Sequence, residues 1–388
     1  MNTENIPPGK TIQLDVVDDN LEIGDGVTLV PRDKTIVING TIICKGSLTV
    51  EGNLKTVSIR CKRGSLEVEG FLESSKYIRV DKRLSVEGYL ISPEISVGGT
   101  LDVSDYIEAN EIKIGGTLKA DGKITADTIQ VGGTLKASSE LEVNSISVGG
   151  TLKLGGKALV ESIRVGGTIK VDSGKFGEVK VGGTFKSEGE VEIETIDVGG
   201  TIKLEGKGKI DNVSVGGSFK TSSDLEFGSI KVGGTITIDG FGNGQSISVG
   251  GTLSSGANLT IEKKLSVGGS CVVDGTLRGG DITIGGEIRS GKTYADYFKI
   301  GRRGTVSGPV QAERIVISEK AIADDLYGGE IILEERCRVK NVYGNSIYIE
   351  EGVRISGEIE YSDDFSTEEG VILNKEPKKV KKLPYLED

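Results

Sequence analysis

A 17-residue period constrains this chain more than any other feature of its sequence. The phrase SVGGTLK at 147–153 returns in variants between Val97 and Glu287. The first glycine of the pair recurs from Gly98 to Gly285; nine of its eleven intervals equal that period, one is shorter by a residue and one longer. A fixed period of this size, with strand-like residues between glycine turns, is the mark of a solenoid. Within one period, IKIGGTLKADGKITA at 112–126, apolar residues alternate with polar ones: Ile112 and Ile114, then Leu118, then Ile124 and Ala126. Alternation in short runs gives strands with one buried face, and no 3.6-residue helical pattern competes with it. Glycine permits a positive φ, so the paired glycines are expected at sharp turns of that kind.

Before the regular block the motif is ragged. INGTI at Ile38, VEGNL at Val50, VEGFL at Val68 and VEGYL at Val86 are spaced 12, 18 and 18, and the next glycine pair follows Val86 after 11. Steps of 11 or 12 are two-thirds of a coil, so the motif changes side on a coil with three sides. After Gly291 the period tightens: Tyr294, Val310, Leu326 and Val342 lie 16 apart, and Ile359 follows after 17. The expected architecture is all-β, a single-stranded parallel β-helix of three-sided, 17-residue coils. Residues 1–20 read as a polar N-terminal tail or cap, and 21–373 as continuous β-helix. The helix divides into irregular coils (21–92), regular coils (93–291) and 16-residue coils (292–373), before a lysine-rich disordered tail at 374–388. Positions 21–373 divided by the period give about 21 coils, and at ~4.8 Å per stacked strand a rod on the order of 100 Å long.

In such a stack, residues one period apart form columns. The residue after each glycine pair gives a hydroxyl ladder running from Thr100, Thr117 and Thr134 to Ser270. Two residues on stands a lysine column, Lys119, Lys136, Lys153, Lys170, Lys186, Lys203 and Lys220, with inward apolar residues such as Leu118 and Phe185 between. This stripe is a candidate site for an anionic polymer or lipid headgroup. The competing reading is neutralisation by neighbouring carboxylates such as Glu161, Glu190, Glu192 and Glu194. Glu319, Glu335 and Glu351 stack at 16-residue intervals beside Arg303 and read as a solvated turn column, with a cation site as the sharper alternative. Cys44 and Cys61, one period apart and inward, suit either a disulfide or, as preferred, buried reduced thiols.

Composition narrows the function classes. The chain has no histidine, so it differs from the β-helix acyltransferases and carbonic anhydrases that depend on one. No CxxC pair and no GGxGxD calcium repeat is present, and no GK[ST] follows a VGGT phrase. No catalytic, cofactor-binding or metal-ligating set is expected. A net charge of −11 disfavours nucleic acid as a partner. No apolar run at the start suggests a secretory signal, and the four cysteines are unclustered, so a cytoplasmic protein is expected.

The stretches ERIVISEKAIADDLYGGEIILEERCRV and NSIYIEEGVRISGEIEY resemble the bactofilin family of polymer-forming cytoskeletal proteins, most clearly over about 290–373. The resemblance implies a right-handed β-helix that assembles end to end into filaments without nucleotide. It also implies association with a membrane's inner face or with cell-envelope proteins through the tails. Physics gives a separate reason for assembly, because a β-helix ends in unpaired backbone groups and exposed core side chains. The final coil, IEYSDDFSTEEGVIL, presents Tyr361, Phe365 and Ile372 as the expected self-interface. The alternatives are a monomeric spacer or surface protein holding an anionic polymer on its Thr/Lys face, and a carbohydrate-active β-helix enzyme.

Overall fold

The computed structural model describes residues 3–386, and no helix occurs among them. The chain divides into two compact units, Met1–Glu194 and Thr195–Asp388. Each is a parallel β-solenoid in which a strand pairs with the strand one period later.

One coil of the first unit shows how the sequence makes three sides. Thr117–Ala120 is the first. The strand Ile124–Val131 supplies the other two, because its ladder skips Asp127 and the chain bends there. Leu118, Ala120, Ile124, Ala126, Ile129 and Val131 all point inward and are at most 7% exposed. Burying a large side chain of this kind contributes roughly 1.5–3 kcal/mol. The early motif changes side as its spacing implies: Ile38 stacks on Thr56, Val86 on Val68 and Val103, and Val97 on Val80 and Ile114.

Changes in coil length are absorbed at corners. In the first unit the single Asp172 stands opposite Gly155 and Gly156, and in the second Glu262 and Lys263 stand opposite Gln245. The sides on either hand remain in register, since a one-residue slip within a side would turn its apolar set outward.

The corner glycines correct one expectation. None of the paired glycines has a positive φ; that conformation belongs to Gly9, Gly26, Gly52, Gly308, Gly352 and Gly370. Instead, a Cβ added at Gly115, Gly132 or Gly149 would lie 2.1–2.2 Å from the carbonyl oxygen of the corner glycine one coil earlier. Glycine is required here by the close approach of neighbouring backbones.

Two boundaries also shift. Thr3–Ile6 pairs with Asn20–Ile23, Thr11–Leu14 with Thr28–Pro31, and Val16–Val17 with Val37–Ile38. Residues 3–17 therefore form a coil of their own rather than a tail over the first one. In the C-terminal block Val310 stacks on Thr293, and Tyr294 belongs to the adjacent outward column with Gln311, Tyr327 and Tyr343. Interior volume in the second unit is filled across coils: an added Cβ at Gly244 would sit 2.3 Å from the Phe227 ring of the preceding coil.

Ser187 occupies an inward position, fully buried, and its hydroxyl has no hydrogen-bond partner among the described residues. A buried unsatisfied hydroxyl costs ~1–3 kcal/mol. Ser187→Ala is expected to raise the urea midpoint, corresponding to about 1 kcal/mol, and an unchanged or lower midpoint would refute the unsatisfied hydroxyl.

Candidate functional site

The terminal coil of the second unit carries the expected interface residues. Ile359 is the last fully covered core residue of the block, stacked on Val342. Phe365 comes next on the third side, over Ile347, and its ring stacks on Tyr361 at 5.3 Å and 30°. Both rings are half-buried. Ile372 lies on another side of the stack, paired with Arg354 and 48% exposed. The three residues thus fall on the same terminal coil, but only Tyr361 and Phe365 touch.

The lysine-rich end of the chain keeps Lys378, Lys379, Lys381 and Lys382 exposed, as its charge suggests, but its backbone is anchored and not disordered. Lys378–Lys379 pairs with Glu360–Tyr361, the Val380 N–H donates to the Tyr361 carbonyl at 2.8 Å, and Lys379 Nζ sits 5.9 Å from the Tyr361 ring centre. Farther on, the Leu386 N–H donates to Gln311 Oε1 at 2.9 Å. The apolar residues Leu383 and Leu386 draw the segment onto the coil surface. The strand edge at Asp364–Thr367 has no partner on its far side among the described residues.

The lysine column is real as a ladder. In the first unit Lys119, Lys136, Lys153, Lys170 and Lys186 are successive partners, and in the second Lys203 pairs with Lys220. Lys119 lies 3.4 Å from Asp102 and 3.3 Å from Asp121; Lys170 and Lys186 lie 2.6 and 3.6 Å from Glu188. In the second unit Lys203 pairs with Glu205 at 3.4 Å and Lys220 with Asp239 at 3.5 Å. The hydrogen bond from Lys119 holds the Asp121 carboxyl low, and that from Lys170 does the same for Glu188. The carboxylates seen against the column are thus Asp102, Asp121, Glu188, Glu205 and Asp239, and Glu192 lies 2.5 Å from Lys175. Asp121 and Glu205 follow their lysines by two residues, each just past the end of its strand, and Asp102 is the ladder neighbour of Lys119. Solvent screening keeps such exposed pairs weak. The threonines beside them are mostly half-buried, and hydroxyls of successive coils meet at Thr201–Ser218, 3.3 Å apart.

Glu319, Glu335 and Glu351 lie at a turn column built by backbone. Arg303, Lys320 and Arg336 adopt φ near +59°, and their N–H groups donate to the carbonyls of Glu319, Glu335 and Glu351 respectively. The Glu319 side chain is taken by Lys320 and Arg302, and the hydrogen bond from Lys320 holds its carboxyl low. All four cysteines are buried free thiols, Cys44 stacked on Cys61. Hydrogen bonding to Cys44 and burial push Cys61 up, and burial pushes Cys271 and Cys337 up to about 12.

Two outward aromatic columns escaped the sequence reading. In the first unit Phe71, Tyr89 and Tyr106 stack at 4.6 and 4.8 Å, with Lys55 over Phe71. The Tyr89 hydroxyl donates to Glu73 at 2.6 Å, which pushes the phenol up to about 12. In the second unit Tyr327 stacks on Tyr343 at 5.0 Å. The signal was present in the aromatic residue of VEGFL and VEGYL at 71 and 89 and in the paired LYGG and VYGN.

These features define a parallel β-solenoid with apolar coils, ion-paired lateral ladders and a terminal coil whose edge is only partly covered. Set beside known proteins, the chain matches no family model, no curated protein and no solved structure.

Proposed function

We propose that the chain is a non-enzymatic structural protein that assembles end to end, through its terminal coils, into nucleotide-independent cytoskeletal filaments or scaffolds. The observation that carries this reading is the open edge at Asp364–Thr367 beside the stacked Tyr361 and Phe365. An unpaired parallel edge with apolar rings next to it is a template for another coil, since main-chain hydrogen bonds supply affinity and side chains specify register. Interior coils satisfy their edges with the coils before and after them, and the lateral lysine columns are largely ion-paired. The likeness of residues 290–373 to bactofilins supports the same reading, as does the burial of the four free thiols, which suits a reducing compartment. The partner is a second copy, and a membrane surface or envelope protein is a secondary partner through the terminal segments.

Negative-stain electron microscopy of the purified chain without nucleotide, at low and high salt, tests the proposal. Filaments are expected at both, because an interface of backbone pairing and apolar rings is weakly screened. Monodisperse particles at every protein concentration and both salts would overturn it.

A further inference from the structure

The outward column Tyr294, Gln311, Tyr327 and Tyr343 borders a groove of about 530 Å³ on the second unit. Gly328 and Gly329 open its floor, and the stacked Tyr327 and Tyr343 form one wall. The other wall is the chain's own Leu383, Pro384 and Tyr385. Leu383 and Leu386 are half-buried there, and the Leu386 N–H donates to Gln311 Oε1 at 2.9 Å across 75 residues of sequence.

The path of this segment is set by its length. It leaves the terminal coil at Val380, which is bonded to Tyr361. It then runs back over the coils carrying Tyr343 and Tyr327 to the one carrying Gln311. Six residues of extended chain reach ~20 Å, and four coil steps at ~4.8 Å need ~19 Å. Pro384 favours the extended conformation at Leu383 and removes an N–H that would otherwise need a partner. Both anchors are thus met without slack: Lys378–Lys379 on the coil edge and Leu386 on Gln311.

We infer that the face carrying Gln311, Tyr327 and Tyr343 is a peptide-docking site whose occupant is the chain's own Leu383–Leu386 segment, acting as a latch. While docked, the segment holds Lys378–Lys379 against Glu360–Tyr361 and occupies the edge on which another copy would add. Released, it leaves that edge free along its whole length. The latch deepens the assembly reading and rests on it, whereas the docking itself does not.

The test uses the full-length chain with Glu313→Cys and Tyr385→Cys, exposed positions that line the groove and leave both anchors intact, bridged by a short bismaleimide; the native thiols are buried. An intrachain link, seen as a shifted monomer band on a denaturing gel, is expected, with filament yield reduced relative to the unlinked variant. A second full-length variant, Leu383→Asp with Leu386→Asp, is expected to be cut by trypsin after Lys381 and Lys382 roughly tenfold faster and to form filaments more readily. Linked dimers in place of the shifted monomer, or no link and no change in cleavage, would overturn the docking. A clean intrachain link with unaltered filament yield would overturn the latch alone. Absence of filaments from the wild-type chain would sink the assembly reading and leave the docking standing.

Discussion

Gly149→Ala is expected to lower stability by about 2–3 kcal/mol, out of proportion to the single methyl group it adds. The added Cβ would lie 2.2 Å from the carbonyl oxygen of Gly132, so one corner must shift to admit it. The obstacle is backbone, not the end of a flexible side chain, and that backbone is tied on both sides. Gly149 N–H donates to the Val131 carbonyl at 2.9 Å, and Gly150 and Thr151 both donate to the Gly133 carbonyl, at 3.0 and 3.2 Å. Opening the corner stretches these bonds, and the column continues through Gly115 and Gly166, which make the same contact. Gly155→Ala is the control, since its nearest neighbour is 3.3 Å away and a few tenths of an ångström suffice. That variant is expected to cost less than about 1 kcal/mol. Urea midpoints followed by far-ultraviolet circular dichroism compare the two. If the variants unfold at the same urea concentration, close approach is not what demands glycine at the corners.

The contrast shows which parts of the molecule were legible in the sequence. The 17-residue spacing of Leu118, Leu135 and Leu152 gave the ladder, because stacking translates period directly into register. The uneven steps through Ile38, Val50, Val86 and Val97 gave the three sides for the same reason. Conformational causes were less visible: a glycine required by close approach and one required by φ are the same letter. Tyr294 was placed one column over because a 17-residue step falls between Thr293 and Val310, and spacing alone cannot choose between adjacent residues. Ion-pair partners were missed because they lie two residues along the chain or one coil away, where side-chain reach decides. The return of Leu386 to Gln311 depends on apolar residues scattered among lysines, and a composition of four lysines around Val380 hid it.

Phe365→Arg is expected to abolish filaments while leaving the far-ultraviolet spectrum of the solenoid unchanged. Phe365 has a coil beneath it, at Ile347, and among the described residues its stretch Asp364–Thr367 has no strand partner above, so the substitution disturbs no interior interface. In the free chain an arginine at this half-buried position can turn its guanidinium into water while its stem covers Ile347. In an assembled filament the same group would lie between two apolar coils, stripped of water and facing the ring of Tyr361. An uncompensated buried charge costs about 3–5 kcal/mol, which weakens each contact by at least ~100-fold. Growth of a polymer through repeated contacts of one kind responds steeply to a loss of that size, so fibres should vanish from the grid at concentrations where the wild type forms them. The substitution also separates the edge from its cover. Combined with Leu383→Asp and Leu386→Asp it should remain filament-free, because releasing the segment exposes an edge that the arginine has already made unusable. Filaments of normal length from Phe365→Arg would move the contact away from the terminal coil, and the ion-paired sides would become the surfaces to test.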